Sequence, residues 1–123
     1  MLKFQPKAGS VVCCNYLGFI KPEMVKERPV IIIAKHKHNS KLVFIVPLST
    51  TAPDPSYEYH LQLEEEFCSL YFNGVRPWVK CDMVNIVSLA RLNLLKRKGY
   101  IPNIGEGFLN KIKQGVKSCL NII

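Results

Sequence analysis

Apolar positions in this chain fall into short runs separated by polar or proline-containing breaks. Only towards the C-terminus do they shift to helical spacing. Gly9 to Asn15 is rich in small and β-branched residues and predicts a first strand, with a loop from Gly18 to Lys26 after it. Pro29 to Lys35 is almost continuously aliphatic, which predicts a strand covered on both faces at the centre of a sheet. The polar stretch His36 to Lys41 predicts a turn, and Leu42 to Leu48 predicts the return strand of an antiparallel hairpin. Pro53 and Pro55 enforce a loop after Ser49. From Tyr59 to Leu63 the pattern alternates, putting Tyr59, Leu61 and Leu63 on one side and His60 and Gln62 on the other. Glu64 to Phe72 fits either a helical turn or irregular structure. Val79 to Asp82 and Val84 to Ser88 predict two further strand segments, with a bend or bulge at Ala90, Arg91 and Leu92.

Phe108, Leu109, Ile112, Val116, Cys119 and Leu120 recur at helical spacing with lysines between them, which predicts a terminal amphipathic helix. Asn103 and Glu106 have the spacing of a capping box at its start. Five to seven short strands with one terminal helix and no βαβ alternation predict a mainly β chain forming a small antiparallel barrel. A length of 123 residues suits one packed core, so residues 1–123 are expected to form a single domain.

Charge narrows the classes of partner. The formal net charge is +8, yet Asp54, Glu58, Glu64, Glu65 and Glu66 lie in a stretch without Lys or Arg. The rest of the chain is therefore more basic than the total implies, and its potential steers polyanions or acidic protein tails towards it. No apolar run is long enough to span a bilayer and the N-terminus has no signal-peptide core, so a soluble cytoplasmic protein is expected. The odd number of cysteines, 13, 14, 68, 81 and 119, with two of them adjacent, fits reduced thiols. No Cys-x-x-Cys occurs, and His36 and His38 alone give little support for zinc, so no metal and no cofactor is expected.

Three segments carry polar groups that a plain core does not need: Pro22-Glu-Met-Val-Lys-Glu-Arg-Pro29, Pro47-Leu-Ser-Thr-Thr51 and Trp78-Val-Lys-Cys-Asp-Met83. Arg28 has the planar fork that holds two phosphate oxygens, and Pro29 gives it a defined direction at the start of a strand. On a strand, Lys80 and Asp82 share one face while Cys81 turns to the other. That pair suits a base (Asp82) with an acid or phosphate contact (Lys80), although taken alone the pair is first read as a cross-strand ion pair. Ser49, Thr50 and Thr51 leave a buried strand for a loop, where hydroxyls either meet a phosphate or cap the turn. His60 is either a proton carrier or a solvent-facing strand residue. Tyr16 and Phe19, in the loop before Arg28, are the candidates for stacking on unpaired bases, with Trp78 also flanking the basic residues.

Together, in this order and spacing, the three segments resemble the PemK/MazF family of toxins from type II toxin–antitoxin systems, over about residues 6 to 120. The resemblance implies an SH3-like barrel and a metal-independent endoribonuclease acting on single-stranded RNA to leave 2′,3′-cyclic phosphate and 5′-hydroxyl ends. It also implies a homodimer and an antitoxin whose acidic, mostly unfolded tail covers the site. By the same resemblance Arg28, Ser49, Lys80, Asp82 and Glu23 form the catalytic set. Thr50, Thr51, Arg91, Tyr16, Phe19 and Lys26 are expected to contact RNA. Two positions depart from the pattern: Pro22 stands where some relatives have His, and Lys80 where a close relative has Arg. The other readings are a non-catalytic RNA- or antitoxin-binding barrel and a gyrase poison like CcdB. The latter relies on a tryptophan-bearing C-terminus that is missing here.

Overall fold

The computed structural model describes residues 1–95 and 100–122. Strands β1 (Val11–Cys14), β2 (Arg28–Lys35) and β3 (Leu42–Ser49) come first, followed by β4 (Leu61–Gln62) and a short helix α1 (Glu65–Tyr71). Strands β5 (Trp78–Val79), β6 (Asn85–Ser88) and β7 (Leu92–Asn93) precede the C-terminal helix α2 (Glu106–Ile122). All pairings are antiparallel, in the order β4-β5-β3-β2-β1-β7, with β6 alongside the first half of β3.

The hairpin of β2 and β3 is the centre of the sheet, as the aliphatic runs predict. Its alternating side chains feed two clusters. Ile31, Ile33, Val46 and Leu48 pack with Phe108, Leu109 and Ile112 of α2, whereas Val30, Ile32, Val43 and Ile45 pack with Cys14, Tyr16, Val87 and Leu92. Burial on both faces is why these strands read as continuous apolar runs.

One bent segment wraps this core. β6 pairs with β3, the chain then turns through a 3-10 turn (Leu89–Arg91) capped by the Ser88 hydroxyl, and β7 pairs with β1. This completes the expected antiparallel, mainly β arrangement, while among the described residues no pairing joins the outer strands β4 and β7.

Three local expectations change. The alternation from Tyr59 onwards becomes only the two-residue β4, because residues 57–60 form a turn in which His60 N–H donates to the Tyr57 carbonyl (3.0 Å). The expected strand Val79 to Asp82 stops at Val79, and Cys81–Met83 is a 3-10 turn whose first residue, Cys81, is drawn into the core. The capping box does not form. Asn103 Oδ1 accepts from Gly105 N–H (2.8 Å) and its Nδ2 donates to the Ala8 carbonyl (3.1 Å), while the Gly105 carbonyl accepts the first helical bond, from Leu109 N–H.

Gly115 sets how closely α2 approaches that 3-10 turn. A Cβ there would stand 2.9 Å from Cys81 Sγ and 3.1 Å from the Tyr59 carbonyl oxygen. Glycine lets the helix backbone lie directly against the elements that carry Tyr59 and Asp82.

Candidate functional site

Strand register brings the three sequence segments to one corner. Val30 pairs with Pro47, so continuing the antiparallel register brings Arg28 opposite Ser49, on the face shared with Val30 and Ile32. On its other edge β3 pairs first with β6, up to Ile45, and then with β5, from Leu48. The chain crosses between these two pairings as the 3-10 turn, pinned by Lys80 N–H donating to the Pro47 carbonyl (3.0 Å). Asp82 therefore stands beside the end of β3, its side chain 38% exposed.

A cavity of about 310 Å³ fills the corner. Tyr16, Phe19, Pro22, Glu23 and Met24 from the loop form one wall, and Asp82, Met83, Val84 and Asn85 form the other. Only Tyr16, Phe19, Glu23 and Asp82 among these stand out in the sequence. Met24 and Met83 lie inside two of the motifs without a role of their own there, and Asn85 carries no signal in the sequence. A larger cleft, about 660 Å³ between Tyr57–Leu61 and α2, is lined by none of the candidate residues.

Each candidate has a definite place. Glu23 Oε1 accepts from Ile20 N–H (2.8 Å), and Glu23 N–H donates to the Ile20 carbonyl (2.9 Å), so the residue closes the loop while also lining the cavity. Ser49 is buried and its Oγ accepts from Thr51 N–H (3.2 Å), which realises the turn-capping alternative; Thr50 and Thr51 are exposed. Lys26 is exposed and Lys80 half-buried. Because Lys80 and Asp82 straddle a 3-10 turn, they do not share a strand face, and among the described residues no ion pair joins them.

The aromatic and arginine candidates make contacts within the protein. Tyr16 is 2% exposed and belongs to the core, so its ring is not a stacking platform for bases. Its edge meets Phe19 with centroids 5.2 Å apart. The Arg91 guanidinium carbon lies 4.8 Å from the Phe19 centroid, and Nη1 donates to the carbonyls of Asn15 (3.1 Å) and Leu17 (2.8 Å). Arg91 thus holds the loop's shape, and the accessible apolar groups there are Leu17 and Ile20, both more than 70% exposed.

Two buried donors at this corner are unspent: the Tyr16 hydroxyl and Arg28 Nε make no hydrogen bond. The Tyr16 hydroxyl does have the Cys14 thiol as a polar neighbour, but sulfur is a weak partner and the contact falls short of an ordinary hydrogen bond. Burial pushes the phenol well above its ordinary range, opposed by the Arg28 charge, so it stays protonated. Burial likewise raises the Cys14 thiol to about 11, against the lowering effect of Arg91. This thiol is therefore a poor nucleophile.

His60 is the residue whose placement differs most from its strand-face reading. Its side chain is 5% exposed rather than solvent-facing, and Nε2 lies 3.8 Å from Asp82 Oδ2. The alternation misplaced it because the strand does not extend back to residue 60. Among the described residues no group of three or more His, Cys, Asp or Glu is arranged to hold a metal ion, and no helix is long and apolar enough to cross a membrane.

Comparison with known proteins adds independent weight. A sequence model of the PemK-like, MazF-like toxins of type II toxin–antitoxin systems matches residues 7–120. An uncharacterised protein, YifN of Escherichia coli (strain K12), is 30% identical over 144 aligned positions, spanning 99% of this chain and 96% of the relative. An uncharacterised protein of Haemophilus influenzae is 25% identical, spanning 95% and 91%. In fold the chain is similar to MazF of Deinococcus radiodurans, with a TM-score of 0.69 at 17% identity over 97% of this chain and 99% of that one. It is also similar to a mycobacterial endoribonuclease solved with its cognate antitoxin, with a TM-score of 0.66 at 18% identity over 96% and 97%.

Proposed function

We propose an activity from one premise: the chain belongs to the PemK-like, MazF-like toxins of type II toxin–antitoxin systems. It is a metal-independent endoribonuclease that cleaves single-stranded RNA. The observation that carries this reading is the cavity between the 16–24 loop and the Asp82 turn, lined by Tyr16, whose hydroxyl feels the charge of Arg28 with its unspent Nε. Asp82, partly exposed on the cavity wall, takes the proton of a ribose 2′-hydroxyl. The 2′-oxygen attacks the adjacent phosphorus, and the bond to the 5′-oxygen breaks. Arg28 holds the non-bridging oxygens as charge builds on them. The departing 5′-oxygen gains a proton, with Lys80 as its donor, leaving a 2′,3′-cyclic phosphate and a 5′-hydroxyl.

Ser49 and Glu23 serve this chemistry by shaping the strand end and loop, and Thr50, Thr51 and Lys26 offer exposed contacts for the RNA backbone. The reading takes residues 1–123 as one domain, in keeping with two hydrophobic clusters that share β1, β2 and β3. It also takes the protein as a cytoplasmic homodimer neutralised by an antitoxin with an acidic disordered tail. The net charge of +8 supports such a partner, since an acidic segment that folds on binding competes with RNA for the same positive surface.

The test is a long mixed-sequence single-stranded RNA incubated with the protein in EDTA, alongside Arg28→Ala and Asp82→Ala. Discrete cuts with cyclic phosphate ends, absent with both variants, are expected. Intact RNA with folded wild-type protein would overturn the reading.

A further inference from the structure

We infer that His60 is the positioning residue of Asp82, holding one carboxylate oxygen so that the other is presented to the substrate. The catalytic part of this inference rests on the ribonuclease reading above. The pairing itself does not.

The imidazole is fixed from three sides. Tyr57 N–H donates to Nδ1 (3.1 Å), and His60 N–H returns to the Tyr57 carbonyl (3.0 Å). The Tyr59 and Tyr57 rings stand 4.4 and 6.0 Å away by centroid. With Nδ1 accepting, a neutral ring carries its proton on Nε2, the nitrogen facing Asp82 Oδ2. At 3.8 Å this is ion-pair range and longer than a hydrogen bond. Such contacts tighten when substrate completes a site.

Burial decides which partner does the holding. The imidazole side chain is 5% exposed and the carboxylate 38%, so the ring lies on the protein side of Asp82. Among the described residues, the other titratable groups around the pair are Tyr57 and Tyr59 from the turn, Cys81 from the 3-10 turn, Cys119 from α2 and, across the cavity from Asp82, Glu23. Burial and then the Asp82 charge push Cys81 up to about 12. Burial raises Cys119 and Tyr59 as well, with Asp82 adding to both shifts. All three are neutral at neutral pH. Among the described residues, His60 is the group in ion-pair range of this carboxylate. Gly115 keeps the arrangement tight by letting α2 close on both the Tyr59 backbone and Cys81.

The experiment compares wild type, His60→Phe, His60→Gln, Asp82→Asn and the His60→Phe/Asp82→Asn double variant, as full-length protein cleaving a single-stranded RNA. Phe keeps the ring packing without the donor, and kcat is expected to fall about 10- to 100-fold with KM unchanged. Gln, whose amide N–H stands in for Nε2–H, is expected to recover most of that loss. The double variant is expected to be no slower than Asp82→Asn alone, because the two residues act as a unit. No loss in His60→Phe, or the same fold loss in both backgrounds, overturns the inference. In parallel, the ring-nitrogen NMR signals of His60 should show the Nε2–H tautomer and an Nε2 shift that moves on Asp82→Asn. An unmoved Nε2 overturns the pairing whether or not the protein cuts RNA. If wild type leaves RNA intact while Nε2 moves, the catalytic role falls with the ribonuclease reading and the pairing stands.

Discussion

The central hairpin and the site corner are built from the same strands, yet they treat polar groups in opposite ways. Between Val30 and Lys35, β2 pairs with β3 across a single irregularity, and its aliphatic side chains are buried on both faces. The corner has a two-residue strand, a 3-10 turn and a loop pinned by Arg91 and Glu23, and it buries two donors without partners. An unmade buried hydrogen bond costs about 1–3 kcal/mol. In the ribonuclease reading, the hairpin supplies the stability that tolerates this cost, and the corner keeps donors free for an anion. If that division holds, substitutions in the two regions separate stability from activity.

The largest effect is expected at the corner. Arg28→Ala and Asp82→Ala each lower RNA cleavage by about 10²- to 10⁴-fold, while melting temperatures stay near wild type. A large melting shift in either would show that the corner also carries the fold. Next comes the hairpin: Ile32→Ala removes about 2–5 kcal/mol of stability, read from urea unfolding. Cleavage per folded molecule should be retained.

Gly115→Ala links the regions. The new methyl group meets Cys81 and the Tyr59 backbone, costing about 1–3 kcal/mol. It should also reduce activity by displacing the Asp82 turn. An unchanged urea midpoint would refute the tight contact of α2 with that turn.

Alkaline pH gives a smaller effect. Cys14 and Cys81 have folded-state values of about 11 and about 12, above the roughly 8.5 of an unfolded chain. The folded protein holds protons that the unfolded chain releases, so this contribution is full below roughly pH 8.5 and is lost as pH rises towards those values. The urea midpoint should fall steadily across that window. The smallest effect is Tyr16→Phe, which leaves stability within about 1 kcal/mol of wild type because the lost hydroxyl has no partner. A clear loss in thermal unfolding would mean that the hydroxyl is bonded within the protein.

The sequence was legible where periodicity persists. Ile31 to Ile33 and Val43 to Leu48 announce buried strands, and Phe108, Leu109 and Ile112 announce the face of α2. It misled where short pieces change direction. Lys80 and Asp82 look like neighbours on one strand face, but β3 exchanges β5 for β6 as its partner there, and the crossing chain adopts a 3-10 turn. His60 looked outward because the alternation from Leu61 to Leu63 continues to Tyr59, although the hydrogen-bonded turn at Tyr57 ends it. Asn103 matched a capping spacing, yet Gly105, with a positive φ of 86°, is the residue that directly precedes the helix, and Asn103 bridges to Ala8. Tyr16 is apolar in its packing and polar in its unpaired hydroxyl, a combination only the folded corner reveals.

The most direct test of the central claim uses an RNA with one mapped cut and a single 2′-deoxyribose on the 5′ side of that phosphate. Attack by the 2′-hydroxyl on that phosphorus, with Asp82 taking its proton and Arg28 holding the non-bridging oxygens, predicts that this cut disappears while binding of the RNA is retained. Continued cleavage at the deoxy position would contradict the account, since the nucleophile would have to come from elsewhere.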